Sequence, residues 1–319
     1  MGQAISPARG ARPAANVQPL ARKAGDEGAR QGGSGDGVRA RPSVWRRFRR
    51  HRLAILGVVV LAFLIVISAL APWLATHNPD QMDLTAIGQP PSREHLLGTD
   101  LIGRDVFSRL LFGGRVSLLV GILSVALSMS ISIAVGAAAG FFRGPVDMAM
   151  MRVTDVVMCF PTLIILISLV ALVGPGLWTM ILALGFLGWP WDARIARAQT
   201  MSVREREFVQ AAESCGATNS RLIFRHILPN ISAPLIVAAT FGVAWNILLE
   251  ATLSFLGLGV QEPTPSWGNM LNAARAVDVI ERMPWLWVPA GLLIAACVLS
   301  VNFIGDGLRD ALDPRSMNQ

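Results

Sequence analysis

Several stretches of roughly 20 predominantly apolar residues recur along this chain, and they constrain its fold more tightly than any other feature. A run of that length crosses the hydrocarbon core of a bilayer as one helix, because backbone polar groups in lipid must be satisfied within the segment itself. The runs are Leu53 to Leu74, then residues 116–142, 156–173, 177–198, 231–258 and 285–304. Of 319 residues, 53% are hydrophobic and 15% charged, against about 25% charged in soluble domains. The expectation is an all-α membrane protein with six transmembrane helices.

Orientation follows from charge. Trp45-Arg46-Arg47-Phe48-Arg49-Arg50-His51-Arg52 lies directly before the first run, and such basic clusters stay on the cytoplasmic side. Six crossings then place both termini in the cytoplasm. The cluster also suits contact with anionic membrane lipid. Residues 1–41, rich in Gly, Ala, Pro and Arg, cannot bury enough apolar surface to order themselves and read as a disordered basic tail. The net charge of +7 is explained by this placement beside spans, with no DNA-reading module, so nucleic acid is not an expected partner.

Residues 42–113 comprise the first span and a long outer connection, 114–307 the main bundle, and 308–319 a short cytoplasmic tail. In the connection stands His95-Leu96-Leu97-Gly98-Thr99-Asp100-Leu101-Ile102-Gly103-Arg104-Asp105-Val106-Phe107-Ser108-Arg109, whose Asp and Arg residues suit local pairing. Gly136-Ala137-Ala138-Ala139-Gly140 offers a small-residue face for close helix packing. Arg143-Gly144-Pro145 and Gly174-Pro175-Gly176 mark turns, and Pro190 interrupts the fourth span.

Between the fourth and fifth spans lies a polar stretch, 199–229. Phe208, Ala211, Ala212 and Cys215 recur at helical spacing, Gly216 suits a left-handed helix stop, and a second short helix is expected to end near Pro229. A helix, a glycine turn and a second helix at a membrane surface form a knob that fits a groove on a soluble partner. Deeper in the bilayer, Asn246 and Glu250 interrupt the fifth span. An ionisable group there costs about 3 kcal/mol on insertion scales and must face water or partners. Asn246 and Glu250 are the candidates for lining a translocation pathway; Glu250 either does so or hydrogen-bonds within the bundle.

Other chemistry is missing. No G-x-x-x-x-G-K-[ST] phosphate loop occurs, so the chain is not expected to be an ATPase or any other enzyme. Cys159, Cys215 and Cys297 are scattered, and His51, His77, His95 and His226 look too dispersed for a metal site. No cofactor is expected.

Taken together, the string 95–109, Ala211-Ala212 with Gly216 and Leu228-Pro229, Ala251 to Gly259, Pro263-Thr264-Pro265-Ser266-Trp267-Gly268, and Gly305 to Arg315 resemble the permeases of dipeptide and oligopeptide ABC importers. The resemblance covers Trp45 to Arg315. It implies a type I importer permease fold, with the segment 263–268 capping the outer face. It also implies an ATPase-coupling loop carried by Gln210, Ala211, Ala212, Gly216, Leu228 and Pro229, with Gln210 standing where the family pattern has Glu. The implied partners are a second homologous permease subunit, two ATP-binding subunits and an extracytoplasmic substrate-binding protein. Cargo within the peptide-like range (dipeptide, oligopeptide, glutathione, nickel chelate, opine) stays open. The competing expectation is an ion-coupled secondary transporter with Glu250 as its proton site.

Overall fold

A computed structural model describes residues 44–49 and 51–312; the tail 1–41 and the last residues, from Asp313 on, lie outside them. The described chain is built of helices, with no β-strand among the described residues and one isolated bridge between Thr99 and Asp105. In order they are α1 (Val44–Phe48), α2 (Arg52–Ala69), α3 (Ala71–Leu74), α4 (Val106–Phe142), α5 (Gly144–Met158), α6 (Thr162–Val173) and α7 (Leu177–Arg204). Then come α8 (Glu207–Ser214), α9 (Asn219–Arg221), a π-helical turn (Leu222–Ile227) and α10 (Leu228–Phe255). The chain closes with α11 (Trp267–Leu271), α12 (Val277–Arg282) and α13 (Val288–Leu312).

Four of these helical runs are long and apolar enough to cross a membrane: α2, α4, Asn219–Phe255 and Pro284–Leu312. The pair α5–α6 makes a fifth when taken as one span, but it is bent by 80° at its break. Pro161 cannot donate the hydrogen bond that would carry α5 onward, and it becomes the residue before α6 instead. The α2 surface shows what surrounds the bundle. Ala54, Gly57, Leu64 and Ser68 are buried, whereas Val59, Phe63 and Val66 are exposed. An apolar face of that extent is stable against lipid and costly against water.

Helix boundaries overrun the apolar runs. α4 begins at Val106, ten residues before the expected start, because Asp105 caps it by accepting from Ser108 N–H at 2.8 Å. Likewise α13 continues to Leu312. The second helix of the polar stretch does not end near Pro229. Leu222–Ile227 widens into a π turn, and Pro229 follows at the second position of α10, where its missing N–H is tolerated. One helical run therefore continues from Asn219 to Phe255.

The central packing is α4 against α7. A Cβ at Gly136 would lie 2.6 Å from the Cβ of Ala196 and 2.9 Å from the backbone nitrogen of Arg197, and one at Gly140 2.8 Å from Thr200 Cβ. The small-residue face thus serves packing inside the chain, where it lets two backbones meet. Arg197 crosses to Asp147 at the α5 end of this contact. At the opposite end of α4, Trp267 is fully buried in a core with Leu64, Val106, Leu110, Ile247 and Ala290.

Candidate functional site

Two regions carry the polar residues singled out by sequence. The first is an elbow formed by α8 and the turn after it. Val209 is fully buried and Ala212 packs beside it against Phe141, Val203, Leu222 and Ile227. Phe208, Gln210, Ala211, Cys215 and Gly216 are exposed. The expected single face of Phe208, Ala211, Ala212 and Cys215 is therefore split. Val209, not Phe208, faces the core, packing in the cluster that holds Val203 of α7 and Phe141 of α4.

The elbow is rigid for local reasons. Gly216 has φ of +82°, its N–H donates to Glu213 O at 2.9 Å, and Ala217 N–H donates to Ala212 O at 3.1 Å. That pair of bonds is the Schellman closure of a helix C-terminus, and it requires a residue that tolerates positive φ. Thr218 then caps the next helix. At the base, Arg204 donates to Phe141 O and stacks on the Phe141 ring, 4.8 Å from its centre. Arg143 pairs with Glu205 at 2.7 Å. Leu228 is half-buried against the same core, and Pro229 is exposed.

The second region is the fully enclosed carboxylate of Glu250, with 0% exposure. Its oxygens accept from Ser254 at 2.7 Å, Ser266 at 2.9 Å and Ser117 at 3.1 Å. Each of the last two hydroxyls also accepts a backbone N–H, Ser266 from Asn269 and Ser117 from Trp267. Both hydroxyl protons are therefore committed to the carboxylate. Asn246, one turn earlier, donates to Ser124 at 2.8 Å. α4, α10 and α11 meet at this cluster, which satisfies an ionisable group that lipid would otherwise expel.

The Asp and Arg residues of 95–109 do pair locally, Arg104 with Asp100 at 2.7 Å. They also reach a partner that no sequence signal marks. Glu262, 53% exposed, holds Arg104 and, at 3.0 Å, the 3% exposed side chain of Arg109. Burial works against the Arg104 charge, but the carboxylates of Glu262 and Asp100 outweigh it and hold its proton more firmly than usual. Nearby, the Thr85 hydroxyl and backbone N–H both donate to Asp83 and keep its carboxyl below the usual range. Arg104, Arg109, Glu262 and Asn269 line a cavity of about 340 Å³. Two of the four histidines are less dispersed than their spacing suggests: the rings of His77 and His95 stand 4.7 Å apart.

A bundle of lipid-facing helices, with a capped polar elbow and a satisfied carboxylate in its interior, defines a polytopic membrane permease. Residues 132–318 match the model of the binding-protein-dependent transport system inner membrane component, and residues 43–91 match the N-terminal TM domain of oligopeptide transport permease C. The chain belongs to the family of binding-protein-dependent transport system inner membrane components, the permeases of ABC importers. It is 47% identical over 271 residues to a protein of Brucella suis biovar 1 named as a peptide permease, covering 85% of this chain and 89% of the relative. It is 40% identical over 277 residues to the dipeptide transport system permease protein DppC of Alkalihalophilus pseudofirmus, covering 86% and 90%. To the oligopeptide transport system permease protein OppC of Haemophilus influenzae it is 40% identical over 279 residues, covering 86% and 89%. Among solved structures, an inward-facing MetNI methionine ABC transporter chain superposes with a TM-score of 0.53 at 17% identity, covering 65% of this chain and 98% of that one. The fold is that of type I importer permeases. Family membership favours ATP-driven import over the ion-coupled alternative.

Proposed function

We propose that this permease forms half of the translocation pathway of a peptide importer and takes its drive through the elbow at Gln210, Ala211, Ala212, Gly216, Leu228 and Pro229. The names of the relatives support peptide cargo. In this reading the four apolar spans, the bent pair α5–α6 and the more polar α7 make six crossings, with both termini and the elbow in the cytoplasm. The partners are a second homologous permease subunit, two ATP-binding subunits that hydrolyse the nucleotide, and an extracytoplasmic binding protein that delivers cargo.

The observation that carries this reading is the elbow itself. A Schellman-closed turn, anchored by Val209, Leu222 and Ile227, holds Gln210, Ala211 and Gly216 exposed at the surface. Rigid presentation of such an exposed polar face suits a groove on a soluble subunit. Movement of the ATPase pair between nucleotide states then moves the bundle, provided the nucleotide binds one state more tightly.

Cys159 and Cys215 are free and exposed, which gives a direct test of sidedness. In a Cys159→Ser background, a membrane-impermeant maleimide should label Cys215 in inverted vesicles and leave it untouched in intact cells with the outer membrane permeabilised. Labelling from the outside would refute the topology. For the drive, Gly216→Pro should abolish co-purification of the ATPase subunits and ATP-dependent uptake of a labelled tripeptide. Uptake powered by a proton gradient without ATP would refute it.

A further inference from the structure

His77, His95 and Asp105 come together from three separate points of the long connection 75–105. One ring nitrogen from each histidine and one carboxylate oxygen of Asp105 lie within 4.8 Å of one another. His95 Nδ1 is 2.9 Å and His77 Nδ1 3.9 Å from Asp105 Oδ1. We propose that these three side chains form a binding site for a divalent transition cation of the Zn²⁺ class, one that fastens the connection to the first turn of α4.

Two imidazoles and one carboxylate are a ligand set that suits borderline cations such as Zn²⁺, with water completing the shell. For ligands about 2.0–2.2 Å from the ion in a tetrahedral arrangement, the ligand-to-ligand separation is roughly 3.4 Å. The two separations from Asp105 Oδ1, 2.9 Å to His95 and 3.9 Å to His77, bracket that value, so small side-chain rotations bring the carboxylate into range of both rings. Metal binding requires the unprotonated imidazole nitrogen. The cation would therefore take the place of the proton between His95 Nδ1 and Asp105 Oδ1, and the ring would change tautomer, its proton passing by way of solvent to Nε2.

The surroundings also fit. The other carboxylate oxygen of Asp105 is occupied, accepting from Ser108 N–H at 2.8 Å and from the Thr76 hydroxyl at 3.4 Å. That leaves Oδ1 turned toward the two rings. The His77 N–H donates to the Ser108 hydroxyl at 3.1 Å and the His95 N–H to the Ser92 hydroxyl at 3.0 Å, so the backbone of each histidine is fixed. Such outer bonds orient ligands and sharpen affinity. The Thr76 hydroxyl, 3.1 Å from His77 Nδ1, is the one local competitor, and a modest turn of the ring releases it. The side chains of His95 and Asp105 are 8% and 1% exposed, whereas that of His77 is 32% exposed and gives an entry path.

The test uses the full-length chain, purified with its co-purifying subunits through a tag free of histidine and cysteine. It is titrated with Zn²⁺ against a competing chelator and measured by X-ray absorption at the zinc edge. One Zn²⁺ per chain is expected, with two imidazole nitrogens in its first shell. His77→Gln, at the solvent rim, should weaken binding at least tenfold, as should Asp105→Asn, which keeps a side-chain oxygen for the α4 cap. Zinc retained equally by wild type and the His77→Gln/His95→Gln double variant would overturn the proposal. So would an absorption spectrum without imidazole scattering, which needs no variant to fold.

Discussion

Replacing Glu250 separates a structural carboxylate from a proton carrier. The carboxyl group holds three hydroxyl bonds at zero exposure, and each such bond contributes about 1 kcal/mol. In Glu250→Ala not all of that is lost. The Ser254 hydroxyl can turn to the carbonyl four residues back, as the hydroxyls of Ser124, Ser132 and Ser168 already do. The Ser266 hydroxyl sits at an N-cap and has no such recourse. With the cavity left behind, the loss should be about 3–5 kcal/mol. Glu250→Gln keeps the volume and one acceptor oxygen for Ser254 and Ser266. Only the bond from Ser117 is inverted, at a cost of about 1–2 kcal/mol. Thermal unfolding in detergent, followed by tryptophan fluorescence, should therefore rank wild type above Gln and Gln above Ala. ATP-driven uptake by the Gln variant should persist in proportion to folded protein. A Gln variant that melts like wild type yet transports nothing would refute the structural assignment. Equal destabilisation by Gln and Ala would refute the hydrogen-bond reasoning.

Two further substitutions probe the packing and the ion pairs. Gly136→Val drives a branched side chain into the backbone of α7 at Ala193 to Arg197; overpacking of this kind costs about 1–3 kcal/mol, read as a lowered melting temperature and reduced yield of folded permease. Glu262→Gln removes the charge and one acceptor oxygen, leaving the buried Arg109 guanidinium with one amide oxygen, two backbone carbonyls and the more distant Asp100, 3.9 Å away. Breaking a fully buried pair costs about 3–5 kcal/mol, but half-exposed Glu262 is screened by solvent, so about 1–2 kcal/mol is expected. A melting temperature unchanged within error would count against that pair as a clamp.

What sequence revealed and what it hid follow from the range of the interactions. The apolar runs mark helices because lipid imposes a length and a composition on each span, and α2, α4, α10 and α13 appear where expected. Their ends drifted because a helix stops where it is capped, not where lipid stops: Asp105 starts α4 in a polar stretch. Pro229 was a misleading stop, since the π turn before it accommodates the proline. Gly216 was legible because a left-handed turn has few substitutes. Glu262 and Arg109 stand 153 residues apart, and the carboxylate of Glu250 meets Ser117 across 133. No local pattern encodes such meetings. The nearness of His77 to His95 likewise depends on how the connection folds back on itself.

The helical run from Asn219 to Phe255 has a mechanical corollary. At 1.5 Å per residue it is a rod of about 55 Å, rooted in the elbow at one end and carrying Glu250 near the other. Within it the π turn Leu222–Ile227 and Pro234 interrupt the regular ladder, and bending concentrates at such points. The run thus ties the elbow, through one continuous helical path, to the junction where three helices share one carboxylate.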